Sequence, residues 1–218
     1  MISKKITVIA LVAVVLTAFG LGAYLYQQRV QNSQMDKVTQ QQARLVRMHS
    51  PVFGPQGAPV TIVEFFDPAC ETCRAFHPVV KGLLAQYPNE VRVVIRYAPF
   101  HQGSDQIVLL LEAAKRQNKY APVLDAVLAA QPQWADHAQP NLRVAFQAAE
   151  QAGLDINQAI EDAQRPELAA ALRQDIEDLT ALEVTKTPTF FVNGRALPSF
   201  GREQLLALVA EEVAKARK

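Results

Sequence analysis

The sequence predicts an α/β domain of order β-α-β, an all-helical insertion, then β-β-α, carried behind an apolar N-terminal helix. Three observations predict it. Two β-branched and aromatic runs, Val60–Phe66 and Val91–Tyr97, flank a helical stretch. A long Ala-, Gln- and Leu-rich tract follows, with apolar residues at helical spacing. Strand signals return at Thr189–Val192, ahead of Asn193-Gly194 and a closing amphipathic helix. The chain has 218 residues, 50% of them hydrophobic and 20% charged, which fits one globular domain with appendages. That composition excludes a collagen-like repeat and a wholly disordered chain. With 22 Lys+Arg against 21 Asp+Glu and no basic block with interleaved aromatics, nothing argues for nucleic acid. Two cysteines, Cys70 and Cys73, are all the chain has, so chemistry needing four thiols and a disulfide-rich scaffold are both excluded.

The N-terminus reads as an address. Residues 1–5 form a short basic tail with Lys4 and Lys5, and residues 6–26 carry no charge. About 20 apolar residues span a bilayer as a helix. A cleaved signal is the competing reading, with Ala18-Phe19-Gly20 as a passable site. The apolar run continues past that site, which favours an uncleaved transmembrane anchor with Tyr24 and Tyr26 at the far interface. No cysteine lies here, so a lipoprotein anchor is excluded. The expected placement is the inner membrane, with a cytoplasmic N-terminus and the remainder in the periplasm, an oxidising compartment. Residues 27–50 read as a Gln-rich stalk without a sustained heptad. Residues 51–218 form the exported domain, its helical insertion at about 103–182.

Within that domain, Pro51–Pro59 reads as a leading loop. Val60–Phe66 reads as a strand buried on both faces, ended by Asp67-Pro68-Ala69. A helix runs from Cys70 to about Gln86, interrupted by Pro78. Val91–Tyr97 is the second strand. In the insertion, residues 104–119 are helical and Gln131–Trp134 reads as a loop. Pro140 opens another helix, Asp155 with Gln158 caps the next, and Pro166 opens the last, to about Leu182. Asn193-Gly194 predicts a type I′ hairpin from Thr189–Val192 to Arg195–Leu197, before a helix over 201–218.

Cys70-Glu71-Thr72-Cys73 sits where a strand passes into a helix. A thiolate is the nucleophile in disulfide exchange, and a helix N-terminus favours negative charge. Cys70 is therefore the expected nucleophile, with Cys73 one turn in, placed to resolve the mixed disulfide. A structural staple would close a tiny loop and constrain the unfolded chain little. A zinc site lacks a second pair, and neither His77 nor His101 has finger spacing. Haem attachment fails because Arg74, not His, follows Cys73. Glu64 lies in an otherwise apolar strand, where burial raises its pKa and makes it a proton partner for Cys73. The bland alternative is an edge-strand carboxylate facing water. Thr187-Pro188 stands just before a buried strand, as a cis turn or an ordinary trans loop. His49 and His137 read as surface residues without a role.

Together VEFFDPACETC, the helix proline of CRAFHP, and KTPTFFVNG resemble the thioredoxin superfamily, and within it the DsbA-like branch with a helical insertion. The matches run in order from about Val60 to the C-terminus. The resemblance implies a thioredoxin fold in which Cys70 attacks, Cys73 resolves and Glu64 is the buried acid. It implies that Pro188 is cis, with Thr187 beside the disulfide in a substrate groove that Glu71 and Thr72 also face. It implies no cofactor and no metal, the Cys70–Cys73 disulfide being the redox centre. It implies exported cysteine-containing proteins as partners, with a membrane redox partner, either a quinone-linked oxidase or a transmembrane reductant.

Two departures matter. Strongly oxidising DsbA proteins resemble one another in carrying Pro-His between the cysteines, where this chain has Glu-Thr. A negative Glu71 beside Cys70 is expected to destabilise the thiolate and give a milder potential. Thr187 before Pro188 is more similar to the isomerase and copper-sensitivity-suppressor type, so reductase or isomerase activity is the alternative direction. A non-enzymatic reading also stands, a holdase or a Cu(I)-binding module through Cys70, Cys73 and His77.

Overall fold

Two parallel strands and the helix between them set the frame. In the computed structural model, which describes residues 19, 21–22, 24–29 and 41–218, β2 (Val60–Phe66) leads through α1 (Glu71–Gln86) to β3 (Val91–Tyr97). The expected cytoplasmic tail, most of the expected membrane span 6–26 and most of the stalk lie outside the described residues. Among the described residues no helix is long and apolar enough to cross a membrane. The chain divides into one unit of residues 1–43 and a second of Arg44–Lys218. In the first, residues 24–29 are helical and exposed. The second is the domain described below.

Its sheet has the order β1-β3-β2-β4-β5, with β1 (Val52–Phe53), β4 (Thr189–Val192) and β5 (Arg195–Ala196) all antiparallel to their neighbours. The insertion supplies α2 (Ser104–Arg116), α3 (Tyr120–Trp134), α4 (Leu142–Gln151), α5 (Ile156–Ala163) and α6 (Pro166–Ala181), and α7 (Arg202–Ala216) closes the chain. Strand alternation sorts the core. Val60, Ile62 and Phe66 pack with α1, α7 and the insertion in the larger cluster. Val63, Phe65 and Val94 face the other way, against Leu45, Leu179, Val184 and Phe191. Both faces are covered, as the apolar runs predict.

Several boundaries depart from the sequence reading. The leading loop contains β1, whose two residues pair with Val93 and Val94 of β3. A two-residue strand carries no period to detect. Gly54 follows it at φ +89, and a Cβ there would lie 2.6 Å from the Val91 carbonyl oxygen, so the turn requires glycine. Gln131–Trp134 is the last turn of α3, not a loop, despite Pro132. Burial of Trp134 overrides the proline, and its indole N–H donates to the Val127 carbonyl at 2.9 Å. Pro140 lies two residues ahead of α4, which begins after Asn141, whose N–H donates to the Trp134 carbonyl. The Asp155 cap on Gln158 and the Pro166 start are as expected. So is the hairpin: Asn193 and Gly194 both have positive φ, as a type I′ turn requires.

The folded unit also takes in residues 44–50, assigned to the stalk by sequence. Leu45 is buried, and Arg47 holds Asp178 through two hydrogen bonds of 2.7 Å. Arg96 of β3, fully buried, pairs with Asp175 and Asp178 of α6 at 2.8 Å each. His49, read as a surface residue, reaches Asp175 at 2.7 Å. Ion pairs between segments this far apart in sequence have no local signature.

Candidate active site

Strand β2 ends at Phe66, and the next residues turn the chain into α1 with Cys70 at its N-cap and Cys73 in its first turn. Both are free thiols and both are buried. The Cys70 Sγ lies 3.4 Å from the Thr187 carbonyl oxygen, to which the thiol donates. The Thr187–Pro188 peptide is cis, as the resemblance implies.

The two thiols are driven apart electrostatically. Cys70 is pulled down to about 5, chiefly by a hydrogen bond from the Cys73 thiol, which outweighs its burial; the Thr187 side-chain hydroxyl and the N–H groups of Thr72 and Cys73 assist. Those N–H groups are the free donors of a helix N-terminus. Burial pushes Cys73 well above the usual thiol range, aided by its bond to Cys70 and by the nearby charges of Glu64 and Cys70. Glu64 sits on the same sheet face as Ile62 and Phe66, between Ile95 of β3 and Phe190 of β4. It is central, not at an edge, and it is 3% exposed. Burial and the charge of Cys70 raise it to about 8.

Glu71 and Thr72 are exposed beside Cys70. Sequence predicts that Glu71 opposes the Cys70 thiolate. Its carboxylate is instead bonded to His137 of the α3–α4 loop at 2.9 Å, and both groups are more than half exposed. Its charge is therefore met by a partner and by water, and Cys70 stays low.

Four residues of the site escaped the sequence reading. Asp67, fully buried, accepts from the N–H groups of Ala69, Phe100 and His101, from the His101 ring and from the Ser104 hydroxyl. It ties the Cys70 turn to the β3–α2 loop. The Asp-Pro-Ala turn itself was the available signal, because Asp hydrogen-bonds the backbone two residues on. Gln131, 1% exposed, reaches from α3 to donate to the Pro68 and Cys70 carbonyls at 2.8 and 3.0 Å. No sequence signal marks it. The His101 and His137 rings pack with centroids 5.0 Å apart, joining that loop to the insertion. His101 is raised by Asp67, against its partial burial. The structure does not bring Cys70, Cys73 and His77 together as ligands: His77 bonds Asp125 at 2.6 Å, and no group of three metal-ligating side chains occurs among the described residues.

A family model described as thioredoxin matches residues 47–211. The chain belongs to the thioredoxin family. A thioredoxin-like oxidoreductase from Silicibacter pomeroyi DSS-3 superposes with a TM-score of 0.68 at 31% identity, over 80% of this chain and 96% of that one. The α-DsbA1 of Wolbachia pipientis superposes with a TM-score of 0.71 at 16% identity, over 81% and 96% of the two chains. The fold is thus that of the DsbA-like oxidoreductases, as the resemblance implies. Among curated relatives, a Na(+)/H(+) antiporter NhaA 3 of Salinispora tropica is 34% identical over 170 residues, 76% of this chain and 25% of that protein. The chain spans about a quarter of the length of the curated relatives it matches.

Proposed function

We propose that the chain is an extracytoplasmic thiol-disulfide oxidoreductase, tethered to the inner membrane by residues 6–26, that introduces disulfides into exported proteins. One observation carries this reading: Cys70 caps α1 against the cis Thr187–Pro188 peptide, one turn ahead of the fully buried Cys73 and near the buried Glu64 carboxyl, an arrangement that pulls Cys70 down and pushes Cys73 up. A substrate thiolate attacks Sγ of Cys70 in the Cys70–Cys73 disulfide. That bond breaks, and Cys73 leaves and takes a proton from Glu64. A second substrate thiolate then attacks the substrate sulfur of the mixed disulfide, and Cys70 departs as a thiolate. Two electrons pass to the pair, and a quinone-linked membrane oxidase removes them. A low-pKa sulfur leaves fast, and a stabilised thiolate favours the reduced pair. Both effects suit electron uptake better than reduction or isomerisation. Thr187, Pro188, Glu71 and Thr72 line the approach to Cys70 and contact the substrate. No cofactor beyond the cysteine pair is needed.

Equilibrating the pair against glutathione tests the direction. The expected potential lies between those of thioredoxin and DsbA, because a thiol near 5 lies between theirs at about 7 and about 3.5. A potential at or below that of thioredoxin would refute the oxidase assignment. A Cys73→Ala variant should trap exported proteins as mixed disulfides, and Cys70→Ser should trap none.

A further inference from the structure

Beside Cys70, on the side of the insertion, lies a pocket of about 420 Å³ that the exchange chemistry leaves unused. It opens between the start of α1, the end of α3 and the loop that follows α3. Its wall carries two carboxylates, Glu71 of α1 and Asp136 of the loop, and among the described residues no lysine or arginine lines it. Both carboxyls are held below the usual range, Glu71 chiefly by its own N–H at the helix start and Asp136 by the N–H groups of Gln139 and Ala138. His137 takes Oε1 of Glu71, and the two loop N–H groups take Oδ1 of Asp136. The other oxygen of each carboxylate has no partner among the described residues. Gln131 borders the same pocket and is 1% exposed. Its Nε2 is committed to the Pro68 and Cys70 carbonyls, and Oε1, the other arm of that amide, has no hydrogen-bond partner. A buried acceptor left unpaired is unfavourable, and the negative end of its dipole stays unscreened.

Resting on the assignment of the chain as an oxidoreductase of exported proteins, we propose that this pocket is a specificity subsite for an arginine side chain of the substrate, a few residues from the cysteine that is oxidised. Three acceptors border one space: two ionised carboxylates and an unanswered amide oxygen. A guanidinium offers five N–H donors in a plane, on a long apolar stem. A lysine ammonium gathers its donors on one atom and is more strongly hydrated, so it suits the site less. Acidic side chains are repelled by the two carboxylates. The placement matches the reaction. Sγ of Cys70 faces the Thr187 carbonyl on the strand side, whereas Glu71, the next residue, turns to the insertion. A substrate segment lying along Thr187 and Pro188 with its sulfur at Cys70 therefore has one flank over the pocket. An extended chain advances about 3.3 Å per residue, which puts an arginine about two or three residues from the cysteine within reach. Gln131 holds the Cys70 carbonyl while bordering the pocket, so α3 fixes the subsite relative to the reacting sulfur. His137 bonds Glu71 and packs against His101, which steadies that carboxylate at the rim. The insertion thus has a part in choosing the substrate.

The test uses the full-length protein in its disulfide form and single-cysteine peptides that carry arginine, or its uncharged isostere citrulline, at one position on either side of the cysteine. The rate of mixed-disulfide formation at Cys70 is divided by the same peptide's rate with hydroxyethyl disulfide, which removes the effect of the arginine on its own thiol. The arginine peptide should react about tenfold faster than its citrulline twin, the lower end for a hydrogen bond to a charged group, and only from one or two of the positions. Asp136→Asn keeps the loop bonds through its amide oxygen, and Ala138→Phe fills the pocket while leaving every charge in place. Each should bring the ratio below about threefold, the range of an exposed ion pair. The ratio is taken within each protein, so a general change in activity cancels. Equal rates for the two peptides at every position, an arginine advantage independent of position, or a ratio that either variant fails to lower this far would overturn the subsite and leave the oxidoreductase assignment standing. If no peptide forms a mixed disulfide with Cys70, that assignment itself fails.

Discussion

Replacing Glu64 by glutamine removes a titrating group from the centre of the sheet and keeps its shape. A buried carboxyl raised from 4.5 to about 8 binds its proton more tightly in the folded chain than in the unfolded one. Below about pH 4.5 both states are protonated, and the two proteins should differ little. Between 4.5 and 8 the unfolded chain releases a proton that the folded chain retains, so the parent loses about 1.4 kcal/mol of stability per pH unit. Above 8 the whole difference is expressed, about 5 kcal/mol. The variant escapes this loss, so it should gain on the parent as pH rises. Urea unfolding of both proteins at pH 4.5, 7 and 9 measures it. The disulfide should be kept closed, so that neither thiol titrates. Closing it removes the Cys70 charge, the smaller of the two causes, and should trim the gap without abolishing it. A gap that does not change with pH would show that Glu64 ionises like an exposed carboxylate, and would remove the basis for its pairing with Cys73.

Three further outcomes follow. Alkylation of the reduced protein should report one fast thiol with a midpoint near pH 5, at Cys70, and leave Cys73 unmodified at neutral pH; a midpoint above 8 would contradict the stabilised thiolate. Glu71→Gln should lower that midpoint by less than about one pH unit, because Glu71 is half exposed and bonded to His137; a larger drop would restore Glu71 as a dominant opponent of the thiolate. Arg96→Met should leave Asp175 and Asp178 buried with fewer partners and lower stability by about 3–5 kcal/mol, measured by denaturant unfolding; a neutral change would show that Arg47 and His49 suffice.

The sequence by itself determined the order of the longer elements and the reacting pair, and missed only the two-residue β1 and the last turn of α3. A βα junction carrying two cysteines one turn apart needs only the periodicity of Val60–Phe66 and the geometry of a helix start. The burial of Glu64 followed from its apolar neighbours in the same strand. Both are local facts, written in adjacent residues. Tertiary structure decided what lies across the chain. Asp67 collects donors from Phe100, His101 and Ser104, Gln131 holds the Cys70 carbonyl from the insertion, and His137 answers Glu71. The local rule that a like charge opposes a thiolate leaves out His137 and water, which meet part of the Glu71 charge. Two hydrogen bonds at Asp178 likewise drew Arg47 into the domain, against the composition of its neighbours. Covalent neighbours fix which groups can react. Which of them carry charge depends on contacts between residues distant in sequence, and these exist only once the chain has folded.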